Sequence, residues 1–375
     1  MYYLRPAYRQ PGYPTQKTLL PFAGEEIEIP VPNWPIPPVE NFRRAAERKD
    51  PLWVPNAMTD MHSLMTPLMA EGDIPIGPDF RRRPTENYTF VDWFGVEYTW
   101  VVSAGGPINT PGKHLLEDIT EWERVIKFPE LKNWDWEGPA ERFLKTEYKP
   151  GRAVQVDIGM CCTEELVAVM GGYSEALVAM ATEPEAVRDF FDRMVVHVTG
   201  LVDKICSLYP VTLMTIHDDW GTEKDTFFSP RMMEELVFEP TKRIIDHIKS
   251  KGVYCMIHTC GNVTRFIPYM IEMGADFLQL QRRAVDIPEM KRRYGDKIGF
   301  NVLIEDLQPE DTPEEIIEKV RRTVQLYGAG GGLFVNVFDG DAERLWLELS
   351  ELYAYSREFY DYEREKARAA GLQAL

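Results

Sequence analysis

From residue 150 onward, short apolar runs alternate with longer segments of helical periodicity. The apolar runs occupy residues 153–158, 211–216, 253–257, 276–280, 297–302 and 333–337. The segments after them repeat apolar residues at helical spacing, at 164–170 with 183–208, then 230–250, 263–273, 287–294, 313–327 and 342–370. Uninterrupted apolar runs are typical of parallel strands that helices cover on both faces. The pattern therefore predicts six strand and helix units.

We predict that these units form an α/β fold, the (β/α)₈ TIM barrel, with an earlier strand at residues 52–55. A doubly wound sheet is the alternative, but no Gly-x-Gly-x-x-Gly follows the first strand. Residues 39–375 are expected to be this single barrel domain. Residues 1–38, rich in Pro and Tyr, are expected to form an extended arm, and the aromatic run 88–102 a hairpin insertion.

Composition narrows the class of protein. A net charge of −18 disfavours nucleic acid and anionic membranes as partners, because both would repel the chain. We find no apolar stretch of membrane-spanning length and no signal peptide, so we expect a cytoplasmic protein. The five cysteines are odd in number and include the adjacent pair Cys161 and Cys162, which indicates free thiols or metal ligands rather than disulfides.

Polar residues follow the predicted strands, where barrel enzymes carry their active sites. The strand ends supply Asn56 and Asp60, Asp157, the segment 217–220, His258 and Cys260, Gln279, Asn301, and Asn336 with Asp339. We assign substrate binding to five of these residues. They are Asp60, Asn56, Trp220, Gln279 and Asn301. For any one of them, capping the next helix is the alternative role.

The segment His258-Thr-Cys260 is the strongest local signal. Imidazole nitrogen and thiolate sulfur are preferred zinc ligands, and one intervening residue lets both side chains face the same cavity. The alternative is a core histidine beside a structural thiol. The segment containing His217 and Asp219 ends another strand, and either residue is a candidate proton donor or substrate anchor. Here the alternative is a loop-capping aspartate and a core histidine.

A set of short motifs carries a family resemblance. The motifs are Asp157-Ile-Gly-Met, Gly171-Gly-Tyr173, His217-Asp-Asp-Trp-Gly221, Ser229-Pro230, His258-Thr-Cys260-Gly261, Tyr294-Gly-Asp296, Thr312-Pro-Glu-Glu315 and Gly330-Gly-Gly332. With them, residues 41–357 resemble the uroporphyrinogen decarboxylase superfamily, in particular its cobalamin-dependent methyltransferase branch. The decarboxylases use an arginine-rich segment near the first strand and a histidine near the last. Residues 53–60 contain no arginine and residues 336–340 no histidine, so porphyrinogen decarboxylation is not expected.

The methyltransferase branch binds zinc through a His-x-Cys pair, which corresponds to His258 and Cys260. Many members add a cysteine after the last strand, where this chain has Asp339, so the resemblance implies Asp339 as the third ligand. A mixed nitrogen, sulfur and oxygen site suits an ether oxygen better than a thiol. The resemblance then implies methyl transfer from an O-methyl donor, a methoxylated aromatic, to the Co(I) corrinoid of a partner protein.

Three other functions are retained as alternatives. One is methyl transfer from a methylcorrinoid to a thiol such as coenzyme M, or to tetrahydrofolate. Another is a decarboxylase-like lyase, for which Arg282 and Arg283 would be the cationic anchors. The last is a non-catalytic corrinoid-binding scaffold without the metal. Whether the chain forms a homodimer is left open by the sequence.

Overall fold

The computed structural model describes residues 13–20, 25–65, 77–78, 84–103 and 106–369. The strands found there are β1 (Thr15–Leu19), β2 (Glu26–Pro30), β3 (Met61–Met65), β4 (Gly77–Pro78), β5 (Tyr88–Val91), β6 (Glu97–Val101), β7 (Gly106–Asn109), β8 (Ala153–Met160), β9 (Leu213–His217), β10 (Tyr254–Thr259), β11 (Phe277–Leu280), β12 (Gly299–Leu303) and β13 (Leu333–Asn336). The helices are α1 (Pro38–Glu47), α2 (Trp122–Val125), α3 (Glu137–Thr146), α4 (Cys162–Met170), α5 (Tyr173–Thr182), α6 (Pro184–Leu208), α7 (Pro230–Met232), α8 (Phe238–Ser250), α9 (Ile267–Met273), α10 (Ile287–Tyr294), α11 (Pro313–Tyr327) and α12 (Ala342–Ala369), with a π-helical turn, Met233–Val237, joining α7 to α8.

The central sheet has the order β13-β12-β11-β10-β9-β8-β3, parallel throughout, with β4 antiparallel beside β3. A parallel bridge between Asn56 and Val335 connects β13 to the segment before β3 and closes the ring. In the described part of the chain the barrel thus has seven parallel strands. The predicted TIM-barrel-like α/β fold is confirmed, and the six predicted late strands correspond to β8–β13.

The base of the barrel is filled by large apolar side chains. Phe42 of α1 lies with its ring centroid 5.7 Å from those of Phe277 and Phe334, which are 5.2 Å from each other. Leu213 and Met256 belong to the same buried cluster. Helix α1 therefore closes the amino-terminal end of the strands, and ligands must reach the barrel from its other end.

The predicted hairpin insertion is confirmed and has a third strand. Strands β5, β6 and β7 form an antiparallel sheet. Asn109 Nδ2 donates a hydrogen bond to the Ala168 carbonyl of α4 at 3.1 Å, and the Tyr98 hydroxyl contacts Met160 Sδ of β8 at 3.5 Å. These contacts place the sheet beside the carboxyl end of β8.

Within the expected extended arm, β1 and β2 pair as an antiparallel hairpin. Strand β2 contacts α12, and the Tyr353 hydroxyl donates a hydrogen bond to the Asn33 carbonyl at 2.9 Å. The proposed boundary at residue 38 stays a prediction. Of the helices described, none is both long and apolar enough to cross a membrane.

Candidate functional site

The side chains inside the barrel change from apolar to polar two residues above the base. In β10 the change is from Met256 to His258, and in β11 from Phe277 to Gln279. His258 Nδ1 lies 2.6 Å from Gln279 Oε1, and Gln279 Nε2 donates to Asn301 Oδ1 at 2.5 Å. Asn336 Nδ2 donates to the same oxygen at 2.9 Å. This network assigns a proton to Nδ1 of His258 and leaves Nε2 free to accept or to bind a metal.

Three potential metal ligands meet at Nε2 of His258. Ligand atoms of Asp219, His258 and Cys260 all lie within 4.8 Å of one another. Cys260 Sγ is 3.4 Å and Asp219 Oδ1 is 3.9 Å from His258 Nε2. Burial, and then the neighbouring Asp219 carboxylate, raise the pKa of the Cys260 thiol. A cation bound here would favour the thiolate, so the donor set fits zinc.

Two loops hold these ligands together. The Cys260 amide donates to Asp219 Oδ1 at 2.6 Å, and the Asn262 amide donates to the Thr222 carbonyl at 2.6 Å. Gly261 has φ +79°, and a Cβ there would collide with the backbone of Gly221. Only glycine permits this approach, which brings the loop after β9 against the loop after β10.

Asp219, His258 and Cys260 together form what we call the metal-capable group, and His217 lies against it. Its ring centroid is 4.6 Å from that of His258, and its Nε2 is buried with no hydrogen-bond partner in the described part of the chain. Burial, with His258 as a second cause, lowers the pKa of His217. The imidazole is therefore neutral at pH 7, and a ligand could supply the missing partner of Nε2.

Asp339 lies outside this group. Its Oδ2 accepts a hydrogen bond from Arg344 Nε at 2.8 Å, and its Oδ1 accepts from the Asp341 amide at 2.8 Å. The third metal ligand therefore stays a proposal, and the structure does not bring the predicted Asp339 to His258 and Cys260. The reason is that Arg344 pairs with the Asp339 carboxylate, whereas Asp219 faces His258 and Cys260.

Three of the five predicted substrate-binding residues form hydrogen bonds within the protein. Asn56 Oδ1 accepts from the Thr59 amide at 2.8 Å, and Asp60 accepts from Trp53 Nε1 at 2.8 Å, so both shape the turn before β3. Burial raises the pKa of Asp60 to about 6. Trp220 is completely buried and donates to Thr163 Oγ1 at 2.8 Å. Gln279 and Asn301, in contrast, contact the metal-capable group through His258.

A cavity of about 470 Å³ opens beside Asp219. Its lining residues come from the insertion sheet, the end of β8, helix α4 and the start of α5. They are Tyr98, Pro107, Ile108, Asn109, Met160, Glu164, Val167, Gly172, Tyr173 and Asp219. Asp219 is among the site residues predicted from the sequence. Glu164 could have been noticed, since it lies in the first turn of the helix after a barrel strand.

Glu164 and Asp219 are the acidic residues that line this cavity. Burial, and then the charges of Asp219 and Asp218, raise the pKa of Glu164 to about 8, and Tyr173 donates a hydrogen bond to its Oε1 at 3.3 Å. The site thus combines three potential metal ligands, a neutral imidazole and a partly apolar cavity. Such an arrangement can polarise an oxygen atom of a bound organic molecule.

Comparisons with known proteins found similar sequences and a similar fold. Residues 89–337 match the family model described as uroporphyrinogen decarboxylase (URO-D). A uroporphyrinogen decarboxylase of Shewanella loihica is 30% identical over 180 residues, 46% of this chain and 49% of that protein. The match thus spans about half the length of this relative. The solved structure of a methyltransferase from Methanosarcina mazei is similar with a TM-score of 0.54 and 14% identity, over 71% of this chain and 76% of that one. At this identity the likeness shows the fold.

Proposed function

The chain belongs to the uroporphyrinogen decarboxylase family, and from that premise we propose that it is a zinc-dependent methyltransferase. The methyl group is transferred from an O-methyl donor, a methoxylated aromatic, to the Co(I) corrinoid of a partner protein. The observation that carries the proposal is the convergence of Asp219, His258 and Cys260 at the barrel mouth. The name and fold of the Methanosarcina mazei methyltransferase support it.

His258 Nε2, Cys260 Sγ and an Asp219 oxygen would hold zinc, which supplies Lewis acidity toward the ether oxygen. Gln279 fixes the His258 tautomer, because its Oε1 accepts from Nδ1. The unpaired Nε2 of His217 is suited to bind the donor's oxygen. In the reaction the methyl carbon leaves oxygen, and the electron pair of the C–O bond stays on oxygen, which takes a proton from solvent. The new bond to carbon uses two electrons of the Co(I) of the acceptor, which is formally oxidised to Co(III).

The lyase alternative has less support. A carboxylated substrate needs cationic anchors, but Arg282 is paired with Glu305 at 3.5 Å and with Asp306 at 3.2 Å. The turn at residues 53–60 contains no arginine, and Asn56 and Asp60 are hydrogen-bonded within it. The thiol alternative would be favoured by a second thiolate, and the three-residue group contains one, from Cys260.

The test combines metal analysis with a methyl-transfer assay. We expect about one zinc per chain, and methyl transfer from aryl methyl ethers to reduced corrinoid protein, with no transfer involving thiols or methylamines and no release of carbon dioxide. His258→Ala should lose zinc and lower the rate by roughly 100-fold or more, because metal activation contributes several kcal/mol. His247→Ala, at a surface ion pair with Asp203, is the matched control. Full activity in metal-free protein would contradict the proposal.

A further inference from the structure

The cavity beside Asp219 adjoins the metal-capable group but extends away from the barrel axis. It lies between the insertion sheet and α4, with Ile108 and Asn109 on one side and Glu164 and Val167 on the other. Because Asp219 belongs both to the cavity lining and to the metal-capable group, a molecule in the cavity would have one end at that group. A cavity of about 470 Å³ lies within the usual range for small-molecule sites.

Two aromatic rings give the cavity flat, fixed walls. Tyr173 is stacked on Phe227, with ring centroids 4.3 Å apart and planes inclined by 20°. Tyr98 is buried and stacked on Phe90, with centroids 5.6 Å apart and the same inclination. Stacked rings have little freedom to rotate, so these walls suit a planar ring better than a branched aliphatic molecule.

The charge of the lining is one-sided. Glu164 and Asp219 are the acidic residues there, and among the described residues that line the cavity none is Lys, Arg or His. A benzoate whose carboxylate lies among these residues would lose water without gaining a positively charged side chain as a partner. A ring with a hydroxyl group could instead hydrogen bond to Glu164 or Asn109.

We propose that this cavity binds the aryl ring of the methyl donor and selects uncharged methoxylated rings over carboxylated ones. The inference rests on the proposed function, because that function supplies the methoxylated aromatic as substrate. It adds a location for the ring, away from the barrel axis, and a specificity that depends on the side chains of β7 and α4.

The first test compares two probes that differ in one charged group. Binding of 4-hydroxy-3-methoxybenzyl alcohol and of 4-hydroxy-3-methoxybenzoate to the zinc-loaded protein is measured by calorimetry. We expect the alcohol to bind at least about tenfold more tightly, since with the methoxy group at the zinc the carboxylate lies in the cavity, where no lining side chain is positively charged. Equal affinities, failure of both probes to bind, or displacement of the alcohol by tetramethylammonium would each overturn the proposal.

The second test adds the missing cation. Ile108 lines the cavity and is 44% exposed, so Ile108→Arg should fold and should tighten benzoate binding at least about tenfold. Val91→Arg is the matched control, because Val91 lies on the same sheet at 61% exposure but does not line the cavity. No effect of Ile108→Arg, or an equal effect of Val91→Arg, would overturn the location.

These measurements also separate the two proposals. Binding is measured without corrinoid protein and does not depend on methyl transfer. If the probes bind as expected but no ether donates a methyl group, the proposed function fails. If ethers are demethylated but Ile108→Arg changes neither binding nor the preference for uncharged donors, only the cavity assignment fails.

Discussion

At the base of the barrel, Met256 and Phe277 pack against Phe42, whereas two residues further along the same strands His258 and Gln279 are hydrogen-bonded to each other. Both pairs of side chains point into the barrel, and the period of two along a strand keeps them on that face. The base excludes water and contributes stability, whereas the mouth holds polar groups in fixed positions. The comparison teaches that stability and chemistry can be changed separately along the same strands.

The largest effect is expected from removing a large side chain at the base of the barrel. Phe277 is fully buried, and its ring contacts those of Phe42 and Phe334. Phe277→Ala should reduce the free energy of unfolding by about 3–5 kcal/mol, because it removes a large side chain and leaves a cavity. Denaturant unfolding measures this loss. Zinc content of the folded fraction should stay at the wild-type value, and a parallel loss of zinc would contradict the separation of base and mouth.

The next largest effect is expected from removing the hydrogen bonds of Gln279 at the barrel mouth. Gln279 accepts from His258 Nδ1 and donates to Asn301, so Gln279→Leu leaves the imidazole without its orienting partner. We expect zinc affinity to fall about 10- to 100-fold with little change in unfolding. Competition with a zinc chelator measures the affinity.

Two further variants control this prediction. Gln279→Glu keeps an acceptor oxygen and should restore zinc affinity. Gln155→Leu changes the same residue type in β8, where Gln155 bonds to Asp157 and Thr215 rather than to His258. If Gln155→Leu weakens zinc as much as Gln279→Leu does, Gln279 has no specific positioning role.

The late strands could be predicted from the sequence, because buried parallel strands are uninterrupted apolar runs. His258 and Cys260 could be singled out as candidate ligands because ligand-type residues follow such a run directly. The choice between Asp219 and Asp339 could not be made, since it depends on the contact between the loops of Gly221 and Gly261. Local spacing contains no information on which loops touch.

The cavity also could not be predicted from the sequence. Its walls come from the insertion sheet and from α4, which are joined by contacts between residues far apart in the chain, such as Asn109 with Ala168. Likewise, the sequence predicts that Asn56 and Asp60 follow a strand at residues 52–55, but the structure has no strand there and places both residues in the turn before β3. The sequence does not show that this turn uses their side chains.

A third prediction concerns His62 and the dependence of the free energy of unfolding on pH. His62 of β3 accepts a hydrogen bond from the Lys149 amide at 3.0 Å, and burial, with Arg152 next, lowers its pKa to about 4. The unfolded chain therefore takes up the proton first as pH falls, so this contribution to stability is present above pH 6.5 and is lost between about pH 6.5 and 4. The loss should be about 1–2 kcal/mol, because the ring keeps some contact with water.

Urea unfolding at several pH values between 7 and 4.5 measures this dependence. His62→Gln keeps an acceptor for the Lys149 amide but does not titrate, so it should flatten the curve. Val178→Gln, at an exposed position without a titratable group, is the control and should leave the slope unchanged. An unchanged slope in His62→Gln would show that the acid sensitivity comes from elsewhere, His197 being the next candidate because its pKa is also lowered to about 4 by burial.

The last prediction tests, by zinc content, which carboxylate belongs to the barrel mouth, and its expected effect on stability is small. Asp339→Asn keeps an oxygen that can accept from Arg344, and Arg344 also donates to the carbonyls of Gln308 and Asp311. The free energy of unfolding should therefore fall by only about 1 kcal/mol. Zinc stoichiometry should remain unchanged, because the Asp339 carboxylate lies with Arg344 and not with His258.

The same substitution at Asp219 should have the opposite result. Asp219→Asn can still accept from the Cys260 amide, so the loop is kept, but the negative charge beside His258 Nε2 is lost and zinc binding should weaken. Because the two variants make the same chemical change, metal analysis of both compares the two positions directly. Loss of zinc in Asp339→Asn with retention in Asp219→Asn would restore Asp339 as the third ligand.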